Sequence, residues 1–114
     1  MAFATHEEYF KTVAPEVRDI LVSIQRQVES LLPEASRCIS YNIPAYRGKR
    51  VFFYFAAFKK HIGIYPPAKD AALIEVLAPY RGEKGNMSFP LDRNLPLDLI
   101  GRVAVTLYRE YANG

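Results

Sequence analysis

The sequence predicts an α+β domain: a mainly antiparallel four-stranded sheet, two N-terminal helices, one inserted helix and one C-terminal helix. Three observations predict it. Apolar residues recur at helical spacing from Val17 to Leu32, and again from Leu99 to Tyr111. Between these stretches, residues 39–65 switch to period two, in short segments parted by basic turns. Helices segregated from hairpin-linked strands indicate α+β rather than alternating α/β.

Each element has a local cause. Thr5-His6-Glu7-Glu8 fits a capping box, with Thr5 as N-cap and Glu8 three residues on. It opens a short helix running to about Val13. Pro15 starts a second helix at its first position, where a missing N–H does no harm. Val17, Ile20, Leu21, Ile24, Val28, Leu31 and Leu32 form its apolar stripe, and Pro33 marks its end.

Ile39-Ser40-Tyr41-Asn42-Ile43 alternates and reads as one strand. Pro44 cannot donate to a ladder, so this strand is an edge or stops there. Arg47-Gly48-Lys49-Arg50 reads as a turn. Val51 to Phe58 is apolar on both faces and should lie centrally. Lys59-Lys60 turns into a third strand, His61 to Tyr65, stopped by Pro66-Pro67. Asp70 caps a helix to about Tyr80, with Leu73, Ile74 and Leu77 inward. Residues 81–85 read as a loop and Asn86 to Phe89 as a fourth strand. Pro96 opens the last helix, whose buried face carries Leu99, Ile100, Val103, Leu107 and Tyr111. Gly101 within it costs about 1 kcal/mol against alanine.

The 114 residues suit one domain, 1–114. Half are hydrophobic, so a packed core is feasible. The single cysteine, Cys38, excludes an internal disulfide. The longest apolar run, Val51 to Phe58, is far below the roughly 20 residues that span a bilayer. The N-terminus lacks the basic and long apolar regions of a signal peptide. The expectation is a cytoplasmic protein without membrane attachment.

Charge is uneven. Residues 1–35 carry a net −3, residues 36–68 carry +6 with no acid, and residues 69–114 balance. A basic middle attracts anions.

Pairing Phe58 with His61, and Tyr46 with Val51, sorts the strand side chains into two faces. Tyr41, Ile43, Phe52, Tyr54, Ala56, Phe58, His61, Gly63 and Tyr65 share one. Ser40, Asn42, Tyr46, Val51, Phe53, Phe55, Ala57, Ile62 and Ile64 share the other. Ala56 beside Gly63 makes a shallow depression, and Tyr41, Tyr54, Tyr65 and His61 surround it. Aromatic walls with a few directed polar groups are how small-ligand sites are commonly built. Lys59, Lys60 or Lys84 can pair with a ligand's charge. His61 beside the depression would make ligand binding pH-dependent.

Ile39 to Tyr46, Tyr54 to Pro66, Lys84 to Asp92, and Pro96 with Leu99-Ile100 together resemble the YdhG-like domain family. Phe58-Lys59-Lys60-His61-Ile62-Gly63-Ile64-Tyr65-Pro66 is the most specific stretch. The resemblance runs through nearly the whole chain in order. It implies a small, non-enzymatic intracellular protein. One bacterial member is described as a frataxin-like iron chaperone, which implies ferrous iron as cargo and a protein acceptor as partner. At Ser88 the family pattern leads one to expect a longer polar residue, so serine enlarges any adjacent pocket or removes a ligand contact.

Ferrous iron delivered and released again suits hard oxygen donors. Glu7, Glu8, Glu16 and Asp19 are candidates, and Glu16 with Asp19, three apart on a helix, form the proposed metal pair. Acids near helix N-termini also stabilise the helix dipole without metal. The alternative is a binding module for a small anionic or aromatic molecule, using Tyr41, Tyr54, Lys59, His61, Gly63, Tyr65, Lys84 and Ser88. Catalysis ranks below binding, because no nucleophile–base motif accompanies Cys38 or the histidines. Nucleic acid also ranks low: the ribonucleoprotein motif is absent and the net charge is only +3. An exposed apolar sheet face would suit a homodimer or another protein partner.

Overall fold

Five antiparallel strands, not four, form one sheet in the order β1-β2-β3-β4-β5. The structure is a computed structural model and describes residues 3–82 and 85–112. In chain order the elements are α1 (His6–Phe10), α2 (Pro15–Leu31), β1 (Ser36–Ser40), β2 (Ile43–Arg47), β3 (Val51–Ala57), β4 (His61–Tyr65), α3 (Ala71–Leu77), β5 (Met87–Pro90) and α4 (Leu97–Leu107). A 3-10 turn, Ala78–Tyr80, extends α3, and a π-turn, Tyr108–Ala112, extends α4.

The extra strand comes from a misread turn. Residues 39–43 are the tip of a hairpin, with Tyr41 at φ 53° and Asn42 at φ 60°. Two successive left-handed residues make the turn that matches the twist of paired strands. Alternation runs on through such a tip, so the two arms look like one strand. Pro44 then lies in an interior strand, opposite Ile39. The ladder to β3 begins one residue later, at Ala45.

A β-bulge changes one further expectation. Tyr46 pairs with Phe53 but Arg47 pairs with Val51, leaving Phe52 as the extra residue. The predicted Tyr46–Val51 pair is therefore absent, and Val51 turns to the face of Tyr54. Phe52 is buried, with its ring centroid 5.1 Å from that of Tyr108. Across β3 and β4 the predicted register holds: Ala56 pairs with Gly63, and Phe58 N–H donates to His61 O at 2.8 Å.

The helices cover one sheet face. Tyr46, Phe53, Phe55, Ile62, Ile64 and Phe89 are fully buried there, in one cluster with Leu21, Ile24 and Val28 of α2 and Ile100, Val103 and Leu107 of α4. Leu31 departs from the predicted stripe and is 46% exposed. Its Cδ1 would lie 2.7 Å from a Cβ on Gly101, so the glycine lets α2 and α4 approach. No helix among the described residues is long and apolar enough to cross a membrane.

Candidate functional site

The sheet face away from the helices carries two grooves where one depression was expected. The first, of about 460 Å³, is lined by Tyr41, Ile43, Val51, Tyr54, Tyr65, Pro66 and Tyr111. Its residues arrive by separate routes. Tyr54 sits centrally, paired with Ala45 on one side and Tyr65 on the other. Tyr41 comes over from the hairpin tip, its ring centroid 5.8 Å from that of Tyr54. Val51 enters through the bulge. Tyr111 is held by its hydroxyl, which donates to Pro67 O at 3.0 Å. Lys69 Nζ stands 5.0 Å from the centre of the Tyr111 ring, a cation–π distance that puts positive charge beside this wall.

Chemically this groove offers flat apolar surfaces edged with hydroxyls. Burial, with a lesser contribution from Tyr9, pushes the Tyr65 phenol upward, so it remains a protonated hydrogen-bond donor at neutral pH. No acid lines the groove among the described residues.

The second groove, of about 690 Å³, lies beyond the other end of β3. Lys59, Lys60, His61, Ser88, Pro90, Leu91 and Asp92 line it. The His61 ring stacks on Phe58, with centroids 4.8 Å apart and planes at 19°. Ser88 faces Gly63 across the β4–β5 ladder. Asp92 contributes one acid, beside Arg93 at 3.4 Å.

The expected site is thus divided. Tyr41, Tyr54 and Tyr65 line the first groove, while Lys59, His61 and Ser88 line the second. Gly63 lies between them but is buried. A Cβ built there would fall 2.5 Å from Tyr65 Oη and 2.8 Å from Phe58 Cε2. The depression over Ala56 and Gly63 is already filled by these two side chains leaning in from the flanks. Lys84 lies outside the described residues.

Glu16 and Asp19 are both exposed on α2. Among the described residues, no group of three or more His, Cys, Asp or Glu is placed to hold a metal ion. The other two acids have local partners. Glu8 Oε1 accepts from Ala4 N–H at 2.7 Å, and Glu7 pairs with Arg37 at 3.0 Å. Cys38 is on β1 and His61 on β4, with β2 and β3 between them. Burial raises the Cys38 thiol, which keeps it protonated and a poor nucleophile.

Two features were missed from the sequence. Tyr111 falls four residues after Leu107, a spacing that reads as core, but the π-turn leaves its ring on the groove. His6 was read only as part of a capping box, yet it is buried and bridges three elements. Its Nε2 donates to Ala45 O at 3.0 Å and Cys38 O at 3.1 Å, and its Nδ1 accepts from the Gln25 amide at 3.0 Å. A histidine satisfied this way is structural.

No family model matches the chain, and no curated protein matches it. Among solved structures it is similar to the crystal structure of a DUF1801-family protein, YdhG, from Bacillus subtilis. The two share 19% identity and a TM-score of 0.81, over 96% of this chain and 92% of that one. The chain therefore has a YdhG-like fold.

Proposed function

We propose that this YdhG-like chain is a member of that family and works as a binding module, its ligand a small molecule with a flat aromatic part. The carrying observation is the convergence of Tyr41, Tyr54, Tyr65 and Tyr111 on one groove of about 460 Å³. Aromatic rings brought together from a hairpin tip, two strands and a C-terminal turn form a surface that core packing does not require. Aromatic pairing contributes roughly 0.5–1.5 kcal/mol per contact beyond burial, so several rings suit reversible binding. The raised Tyr65 hydroxyl supplies a donor to orient the ligand, and Lys69 favours an electron-rich or anionic one.

Ferrous-iron delivery is the second reading, carried by the YdhG resemblance. It stands behind the first because Glu16 and Asp19 have no third ligand among the described residues.

Native mass spectrometry of protein purified gently and without oxygen tests both. A discrete organic adduct, lost in Tyr54→Leu, is the expected result. An iron adduct lost on chelation would move the function to metal delivery. A bare mass, together with no tyrosine-fluorescence response to added nucleosides, would remove the groove reading.

A further inference from the structure

We propose that the open sheet face binds single-stranded nucleic acid, with bases stacking on the tyrosine groove and phosphates held by cations at the two ends of β3. The inference rests on the groove reading and extends it from one flat ring to a run of linked ones.

Three observations carry it. The first is exposed aromatic surface: Tyr41 is 87% exposed and Phe58 is 45% exposed. Rings held at the surface of a rigid sheet present the stacking platform that single strands use, at about 1–3 kcal/mol per base.

The second is where the charge sits. Arg47, Lys49 and Arg50 are exposed on or beside the β2–β3 turn, and Lys59 and Lys60 are exposed on the β3–β4 turn. The seven residues of β3 separate these two groups by roughly 23 Å, at about 3.3 Å per residue. One small anion cannot engage both ends, whereas a phosphodiester backbone crosses from one to the other.

The third is that these charges make no ion pair, Asp92 being the one acid that lines either groove among the described residues. Segment 36–68 has six cations and no acid. Of the six, Arg37 is paired, to Glu7 and Glu29. The other five make no ion pair among the described residues. The low overall charge of +3 hides this, because residues 1–35 carry a net −3, with Glu7 and Glu8 on α1 and Glu16, Asp19 and Glu29 on α2. A lipid surface fits less well, since the rings line a hydroxyl-edged groove rather than project as an apolar wedge.

The test is fluorescence anisotropy with labelled oligouridylate and oligothymidylate of about ten nucleotides. Binding is expected, with log K falling against log salt at a slope of roughly −2 to −3.5 for three to five phosphates held. Tyr41→Asn keeps a residue that accepts the left-handed turn, and should weaken binding about tenfold or more. Lys59→Glu with Lys60→Glu should weaken it and flatten the salt slope. Absence of binding at low salt overturns the proposal. So does binding that Tyr41→Asn leaves unchanged and that a base-free polyphosphate displaces equally well. Tighter association with phosphatidylserine vesicles than with either oligonucleotide overturns it in favour of lipid. Adenosine alone, followed by tyrosine fluorescence, separates the two readings. If adenosine binds and the oligonucleotides bind no more tightly, the groove stands and the platform falls.

Discussion

The imidazole Nδ1 of His6 accepts a hydrogen bond from the side-chain amide of Gln25 at 3.0 Å, tying α1 to α2. The direction follows from the other nitrogen. Nε2 faces two carbonyl oxygens, which can only accept, so it carries the proton and Nδ1 is bare.

This neutral histidine makes stability depend on pH. Burial holds the His6 pKa below its ordinary 6.5, against the pull of the Ala45 and Cys38 carbonyls; nearby Arg37 lowers it further and Glu7 raises it. The unfolded chain therefore takes up the proton first. The contribution is complete above 6.5 and is lost as pH falls through the folded value. Thermal midpoints of the wild type should fall as pH drops from 7 toward 5. His6→Gln should start lower at neutral pH and lose less on acidification. Parallel curves for the two proteins would reject this role.

Tyr46 Oη donates to Glu29 Oε2 at 2.6 Å, and the Arg37 guanidinium holds the same carboxylate from outside. Arg37 is the main cause of the lowered Glu29 pKa, with burial opposing and the Tyr46 hydroxyl assisting. Tyr46→Phe keeps the ring in the core and deletes one charge-assisted hydrogen bond. We expect a loss of about 1–2 kcal/mol in urea unfolding at neutral pH. A depressed carboxylate contributes above its unfolded pKa and stops contributing as pH falls through its folded one. The difference between Tyr46→Phe and wild type should therefore shrink below pH 4.5.

Gly63 is the position where space under the groove is tightest. Gly63→Ala would collide with Tyr65 Oη and Phe58 Cε2, both ends of side chains that can swing away. The sheet should persist, with the thermal midpoint within a few degrees of wild type, because displaced ends relax more readily than backbone. Ligand binding in the tyrosine groove should suffer more, since Tyr65 is one of its walls. A variant crystal structure with Tyr65 unmoved would contradict this.

The face assignment of β3 and β4 was legible because a two-residue turn ties Phe58 to His61, and every later pair follows from that one. Ala56 therefore met Gly63 as expected. The β2–β3 pairing was not legible in the same way. Nothing in Arg47-Gly48-Lys49-Arg50 announces a bulge, and one extra residue is enough to exchange the faces of Val51 and Phe52. The hairpin at Tyr41-Asn42 was hidden for a different reason. Asparagine tolerates a left-handed conformation but tyrosine rarely adopts one, so the pair lacks the usual turn signature. Gly101 was read as a propensity cost; its use is helix approach, visible only once Leu31 and Gln27 are seen packed on it. Tyr41, Tyr54 and Tyr65 of the candidate site were legible from one expected strand face, whereas Tyr111 was not. Their separation from His61 and Lys59 was not, because that depends on how Tyr65 and Phe58 lean over Gly63.

The strained tyrosine is the sharpest test of whether the groove is used. Tyr41 sits at φ 53° with 87% of its surface exposed, so it stabilises little by burial while holding a conformation unfavourable to a tyrosine. Its visible gain is the Tyr54 ring at 5.8 Å. Tyr41→Asn should relieve part of a left-handed cost of about 1–2 kcal/mol and give up an exposed ring contact worth about 0.5–1.5 kcal/mol. Stability should therefore stay level or rise slightly in urea unfolding. Binding at the groove should fall. A residue whose replacement spares the fold and abolishes binding is held for function, because local strain without a packing return persists where the side chain is needed. A clear loss of stability in Tyr41→Asn, with binding intact, would instead make Tyr41 a support for the hairpin and remove it from the site.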